Sequence, residues 1–243
     1  MKVKTGICVF DCHFPKHNKK LWESILKVVK KTKPDYFIFG GDNLDMDEVN
    51  HWELDRGNKR GMEGKRLRRS YDNFQTEILD RLKLPDYCRK IFMLGNHELW
   101  LEQYIDKIPE LEGFAEIERN IDLKDWEIIP YRQTVKVGKI YFHHGEYTGI
   151  HHANKMVQTF EHNIVYGHLH SYQVHTKITP IGCEAHSAIS MPCACDLNPQ
   201  YMRDKPSAWV NGFGVFYIHP DNNFNIYPVI SSNGHFVFQG EYY

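Results

Sequence analysis

Five short segments of this chain concentrate side chains that bind divalent metals. They are Asp11-Cys12-His13, Gly41-Asp42-Asn43-Leu44-Asp45, Gly95-Asn96-His97-Glu98, His143-His144-Gly145 and Gly167-His168-Leu169-His170. Carboxylate oxygen, amide oxygen and imidazole nitrogen together suit borderline ions such as manganese, iron, nickel or zinc. Any one segment is weak evidence, since Asp42 alone reads as a turn residue bonding its own backbone. Their recurrence is the signal. Two neighbouring ions need an anionic bridge to offset their repulsion, and an aspartate with two oxygens supplies one. Between ions ~3.5–4 Å apart a bridging water loses its proton near neutral pH and attacks phosphorus in line. Histidine is also in excess, at 15 of 243 residues, as such a centre would require.

Each segment begins where an apolar run stops. Ile7-Cys8-Val9-Phe10, Tyr36-Phe37-Ile38-Phe39, Lys90-Ile91-Phe92-Met93-Leu94, Ile140-Tyr141-Phe142 and Asn163-Ile164-Val165-Tyr166 read as short strands. Asn18 is the expected N-cap of a helix over 19–31, with Leu21, Trp22, Ile25, Val28 and Val29 on one face. Strand, helix, strand implies a parallel sheet carrying Asp11, His13 and Asp42 at one edge. Helices are further expected over 67–82, 99–108 and 153–160, and strands at 126–129 and 134–137. The expected organisation is a single domain over 1–243, with a basic helical insert at about 46–85 and a β-rich part at about 173–243. Strands are expected in the latter at 215–218, 225–229 and 235–238, and Trp209-Val210-Asn211-Gly212-Phe213-Gly214 as a turn between core strands.

In this order the five segments resemble the calcineurin-like metallophosphoesterase superfamily, over about residues 5 to 172. The resemblance implies an α/β fold, a four-layer α/β/β/α sandwich with the C-terminal strands in its second sheet. It implies one ion on Asp11, His13, Asp42 and His170, and a second on Asp42, Asn96, His144 and His168, with Asp42 as the bridge. His97 is then not a ligand. It faces the leaving-group oxygen as general acid or charge stabiliser, and Asp45 is the carboxylate that hydrogen-bonds it and raises its pKa. His143 and His144 compete for one ligand position. The family motif puts the ligand directly before glycine, which favours His144, and strand alternation then turns His143 away to pack. Met46 departs from the pattern, because the protein Ser/Thr phosphatases of the superfamily carry there an arginine that grips the phosphate.

Lys and Arg total 30 against 31 for Asp and Glu, so the overall charge of -1 calls for neither nucleic acid nor membrane. From Arg56 to Arg69, however, seven basic residues (Arg56, Lys59, Arg60, Lys65, Arg66, Arg68, Arg69) face Glu63 alone. The plainer reading is a solvated loop and helix start. The functional one is a flap gripping phosphates or a nucleic-acid backbone. No stretch approaches the ~20 apolar residues of a membrane span, and the N-terminus lacks the pattern of a signal peptide. A cytoplasmic location and reduced cysteines are expected. Cys183, Cys193 and Cys195 with His186 lack the paired spacing of a zinc site, so packed thiols are expected there. Tyr147 and His152 are candidates for substrate contact.

The expected function is hydrolysis of phosphate esters through a dinuclear centre with manganese, or else iron, nickel or zinc, using a metal-bridging hydroxide. The expected substrate is a nucleotide or nucleic acid, cleaved as a phosphodiesterase or phosphatase. A DNA exo- or endonuclease of the repair branch, a phosphomonoesterase on protein or small molecules, and a non-catalytic metal-binding scaffold are the alternatives. Oligomeric state is not legible in the sequence.

Overall fold

A computed structural model describes residues 2–50, 66–182, 184–199, 202 and 204–243. Four strands run parallel and side by side: Lys4–Val9 (β1), Tyr36–Gly40 (β2), Arg89–Met93 (β3) and Trp126–Ile129 (β4). The connection from β1 to β2 is Lys19–Thr32 (α1), capped by Asn18, whose Oδ1 accepts from the Leu21 N–H at 3.1 Å. Leu67–Phe74 (α2) runs on as a π-helical turn at Gln75–Leu79, so the expected regular helix over 67–82 is broken. Asn96–Lys107 (α3) starts three residues before the expected position, which puts Asn96 and His97 in the first turn of a helix. Ile117–Asn120 (α4) is a single turn.

A second sheet holds Val135–Val137 (β5), Ile140–His143 (β6), Ile164–Tyr166 (β7), Gln173–Ile178 (β8) and Ala185–Ser190 (β9) in the order β5-β6-β7-β9-β8. His152–Phe160 (α5) connects β6 to the parallel β7. The C-terminal part does not all join this sheet. Gly212–Ile218 (β10) pairs antiparallel with β1, and Phe224–Ile230 (β11) pairs with β10, extending the first sheet. The reason is hydrogen bonding: β1 is buried, β2 covers only one of its edges, and the other needs a partner. Val237–Phe238 (β12) and Glu241–Tyr242 (β13) pair only with each other.

Side-chain alternation builds the layers. Ile7 and Val9 of β1 join α1 residues Leu21, Trp22, Ile25, Val28 and Val29 in one core. Cys8 and the following Phe10 point the other way, onto Ile140 and Phe142 of β6 and Val165 of β7. The far face of the second sheet, with Ile164 and Tyr166, packs under Ala153, Met156 and Val157 of α5. Three apolar cores between four layers give the order α/β/β/α. Among the described residues no helix is long and apolar enough to cross a membrane. Of the basic run, Arg56, Lys59, Arg60 and Lys65 lie outside the described residues, as does Cys183. Arg66 directly precedes α2, and Arg68 and Arg69 lie in its first turn.

Candidate metal centre

The five segments leave the C-terminal ends of β1, β2, β3, β6 and β7. The first two loops pair along their backbones: Asp11 N–H donates to Gly41 O (3.1 Å), His13 N–H to Asp42 O (2.8 Å) and Phe14 N–H to Asn43 O (2.9 Å). Asp11, His13, Asp42, His168 and His170 all have left-handed φ, between 49° and 75°. That conformation is costly for residues with a Cβ and persists only where the surroundings over-determine it. Glu98 is one such constraint. Its buried carboxylate accepts four backbone N–H bonds, from Gly95 (2.7 Å), Asp42 (3.1 Å), Asn43 (2.7 Å) and Leu44 (3.0 Å), locking the second loop to the third. Two motif glycines have a steric reason. A Cβ at Gly95 would strike the Asp42 carboxylate, and one at Gly41, whose φ is +98°, would strike the His144 ring.

The side chains converge. His170 Nε2 lies 3.1 Å from His13 Nε2 and 3.5 Å from Asp11 Oδ1. Asp42 Oδ2 lies 3.7 Å from His13 Nε2 and 3.3 Å from His144 Nε2, which is 3.1 Å from Asn96 Oδ1. Ligand-type atoms of Asp11, His13 and His170 fall within 4.8 Å of one another, as do those of Asp42, His144 and His168, and those of His13, Asp42 and His97. Asp11, Asp42 and His144 are almost wholly shielded from solvent. His13 Nε2 and His170 Nε2 face each other at 3.1 Å beside the buried carboxylates of Asp11 and Asp42. A cation satisfies that arrangement, and its nitrogen and oxygen donors fit borderline divalent ions.

Charge follows geometry. Burial alone would raise the Asp42 carboxyl, but His144, His97 and His13 outweigh it and hold the pKa well below the usual carboxylate range. Burial would lower His144, but Asp42 beside it overrides this and lifts the ring to about 10. His170 is raised in the same way by Asp11, against its own burial.

Asp11, His13, Asp42, Asn96, His97, His144, His168 and His170 thus meet at one place. The His168 backbone N–H reaches both oxygens of Asp11, at 3.0 and 2.9 Å. His143 turns away: its Nδ1 accepts from Gly145 N–H at 2.9 Å and its ring packs on Phe160. Asp45 differs from expectation. Its carboxylate is bonded to His13 Nδ1 (3.1 Å) and to Lys16 Nζ and stands 3.9 Å from His97 Nδ1, close enough to pair by charge, while the hydrogen bond from His97 Nδ1 goes to the Asp45 backbone carbonyl, at 2.7 Å. Bridging of Phe14 to Leu44 sets the first two loops side by side, so the Asp45 side chain meets His13 first. Met46 is buried in the first core and cannot reach a phosphate. His152 is bonded to Tyr166 and Ser171, and Tyr147 to Thr159, so both serve the packing of α5.

Sequence reasoning missed several contributors. Glu98 stood inside a quoted motif, but its clamp on a distant loop has no local signature. Trp100 lies against His97 with ring centroids 3.9 Å apart and planes tilted by 33°, and Trp209 meets His170 edge-on at 4.2 Å. Trp100 lies three residues from His97, one helical turn, which was a usable signal. Cys193 and Cys195 group with His170, and not with His186, whose ring stacks on His162.

The calcineurin-like phosphoesterase family matches residues 11–186. No curated protein matches the chain. Solved structures similar to it include a metallophosphoesterase from Sphaerobacter thermophilus, 11% identical over 94% of this chain and 88% of that one, with a TM-score of 0.44. Another is Vacuolar Protein Sorting 29 from Cryptosporidium parvum, 11% identical over 99% and 95%, TM-score 0.44. A third is the nuclease MPE of Pseudomonas putida, 8% identical over 92% and 87%, TM-score 0.38.

Proposed function

This chain belongs to the calcineurin-like phosphoesterase family, and from that premise we propose that it hydrolyses phosphate esters with two divalent ions, on a nucleotide or nucleic-acid substrate. Asp11, His13, Asp42 and His170 would hold one ion, and Asp42, Asn96, His144 and His168 the other. The observation that carries this reading is the position of Asp42, whose Oδ2 stands 3.7 Å from His13 Nε2 and 3.3 Å from His144 Nε2, between the two donor groups. When bound, the ions supply Lewis acidity and an activated water for attack on phosphorus.

The protein's own residues do the rest. A carbonyl only accepts, so His97 Nδ1 carries a proton toward Asp45 O, and Nε2 is left facing the centre, 3.8 Å from Asp42 Oδ2. Protonated, that Nε2–H donates to the departing alkoxide oxygen. Trp100 and the Asp45 carbonyl hold the ring in this orientation. The buried Met46 argues against a phosphoprotein phosphatase. The exposed Arg66, Arg68 and Arg69 favour a polyanionic substrate, since a guanidinium fork takes two phosphate oxygens. Their helix is tied to the chain just past Asp45 through Ser70 Oγ donating to Glu48 at 2.5 Å.

The test is a screen of the protein supplied in turn with manganese, iron(II), nickel or zinc, against p-nitrophenyl phosphate, bis(p-nitrophenyl) phosphate, cyclic nucleotides, DNA, RNA and phosphopeptides. Turnover of the diester and of a nucleotide or nucleic acid is expected. No turnover of any substrate with any ion would leave the non-catalytic scaffold.

A further inference from the structure

We propose that Cys193, Cys195 and the Nδ1 of His170 form a further metal site, for a thiophilic ion of the zinc(II) or copper(I) class. The His170 ring stands between two donor sets. Its Nε2 faces His13 and Asp11, while its Nδ1 lies 3.7 Å from Cys195 Sγ. Ligand atoms of His170, Cys193 and Cys195 all lie within 4.8 Å of one another. With metal–sulfur and metal–nitrogen bonds of ~2.3 and ~2.0–2.1 Å, sulfur and nitrogen on one ion stand about 3.6 Å apart in tetrahedral and about 3.8 Å in trigonal geometry. The 3.7 Å separation fits both.

The pair of thiols is built in, not incidental. Ala194 packs into the first core, which turns the flanking side chains to the other side. Asn211 Nδ2 donates to the carbonyls of Cys195 (2.6 Å) and Cys193 (3.3 Å), and Asn18 in turn bonds Asn211 Oδ1 at 2.7 Å. Both cysteines are buried, and none of the described cysteines is in a disulfide. Thiolates select zinc or copper(I) over manganese, so this site differs in chemistry from the oxygen and nitrogen centre that shares its histidine; with both filled, His170 bridges them as an imidazolate, its last ring proton released to solvent. It goes beyond the phosphoesterase reading and does not depend on it.

Cobalt(II) titration of the full chain, followed by near-ultraviolet thiolate-to-cobalt absorption, tests the site. The band saturates at one ion per chain, falls by about half in Cys193→Ser or Cys195→Ser, vanishes in the double variant and is unchanged in Cys88→Ser. X-ray absorption at the zinc edge of the wild-type protein, loaded with three equivalents, reads the same site without any variant, as sulfur at ~2.3 Å. Absence of the band, its survival in the double variant, or a zinc shell of nitrogen and oxygen alone overturns the site. Turnover is not the readout, so a protein inactive on every phosphate ester leaves this test intact.

Discussion

His97 Nδ1 donates to the backbone carbonyl of Asp45 at 2.7 Å, while the Asp45 carboxylate is spent on His13 Nδ1 at 3.1 Å and on Lys16. The carboxylate also stands 3.9 Å from His97 Nδ1, so it bonds His13 and acts on His97 through charge alone. Burial pushes the Asp45 carboxyl up, but the bond from His13 and the charge of Lys16 prevail and hold it far below the usual range. Replacing the side chain removes the support of His13 and leaves the carbonyl for His97. Asp45→Asn is expected to weaken metal retention, with kcat at saturating metal within about tenfold of wild type. His97→Ala is expected to keep its metals and lose about 10²–10⁴-fold in kcat, as for a lost general acid. Elemental analysis alongside kinetics separates the two, and metal loss in His97→Ala would make that residue a ligand.

Glu98 offers a test of the scaffold rather than the chemistry. Burial and the charge of Asp42 push the Glu98 carboxyl up to about 7, while four amide donors favour its ionised, acceptor-only form; a glutamine would turn an NH₂ group toward some of them. Hydrogen bonds to a charged group contribute ~1.5–3 kcal/mol each. Glu98→Gln should therefore lower stability by about 3 kcal/mol in urea unfolding and weaken metal binding, because Asp42 loses its backbone anchor. A variant with wild-type stability would mean that the clamp carries little weight.

The strands that deliver the centre were legible because each is a short apolar run stopping at a polar loop, and α1 because its apolar spacing and Asn18 cap agree. The strands β8 and β9 were not, since Gln173-Val174-His175-Thr176-Lys177-Ile178 is largely exposed and has no apolar run to mark it. The docking of β10 on β1 is a contact across some two hundred residues, set by an unpaired edge that no local pattern reveals. The centre's residues were identifiable by type and order. The division of Asp45 between carbonyl and carboxylate was not, because it depends on how the first two loops lie together and on a left-handed turn at Met46.

His17 should make stability pH-dependent. The ring is buried, stacked on Phe14 at 5.2 Å, and burial together with Lys19 lowers its pKa to about 4. Below the unfolded value of ~6.5 the unfolded chain takes up a proton that the folded one resists. Stability is therefore full above about pH 6.5 and lost progressively toward pH 4, by about 2 kcal/mol at pH 5. In His17→Phe, which keeps the stack, urea midpoints should fall less between pH 7 and 5 than in wild type. Parallel curves would show that His17 protonates freely.

Arg66, Arg68 and Arg69 bear on the substrate. Arg68 is engaged with Asp72 (3.0 Å) and Asn120 (3.1 Å), an exposed arrangement worth only tenths of a kcal/mol. With all three replaced by alanine, the loss at Arg68 should be of that size. DNA binding should weaken, and its dependence on log salt should flatten by about 2–3 in slope if each arginine neutralises a phosphate. A wild-type protein with no affinity for DNA removes the DNA-nuclease version of the function.

Metal uptake should release protons, with a pH dependence set by His144. Asp42 at 3.3 Å keeps that ring protonated up to about pH 10, against the pull of burial, yet an imidazole must be neutral to ligate. An ion reaching the site has to displace the His144 proton, and Asp42 then trades one cationic partner for another. Apparent affinity should therefore rise by up to tenfold per pH unit for each proton displaced, between about pH 6 and 9. Calorimetric titration with manganese in buffers of different ionisation enthalpy counts those protons directly. At least one per ion at the His144 group is expected at pH 7, and uptake with no proton release would remove His144 from the ligand set.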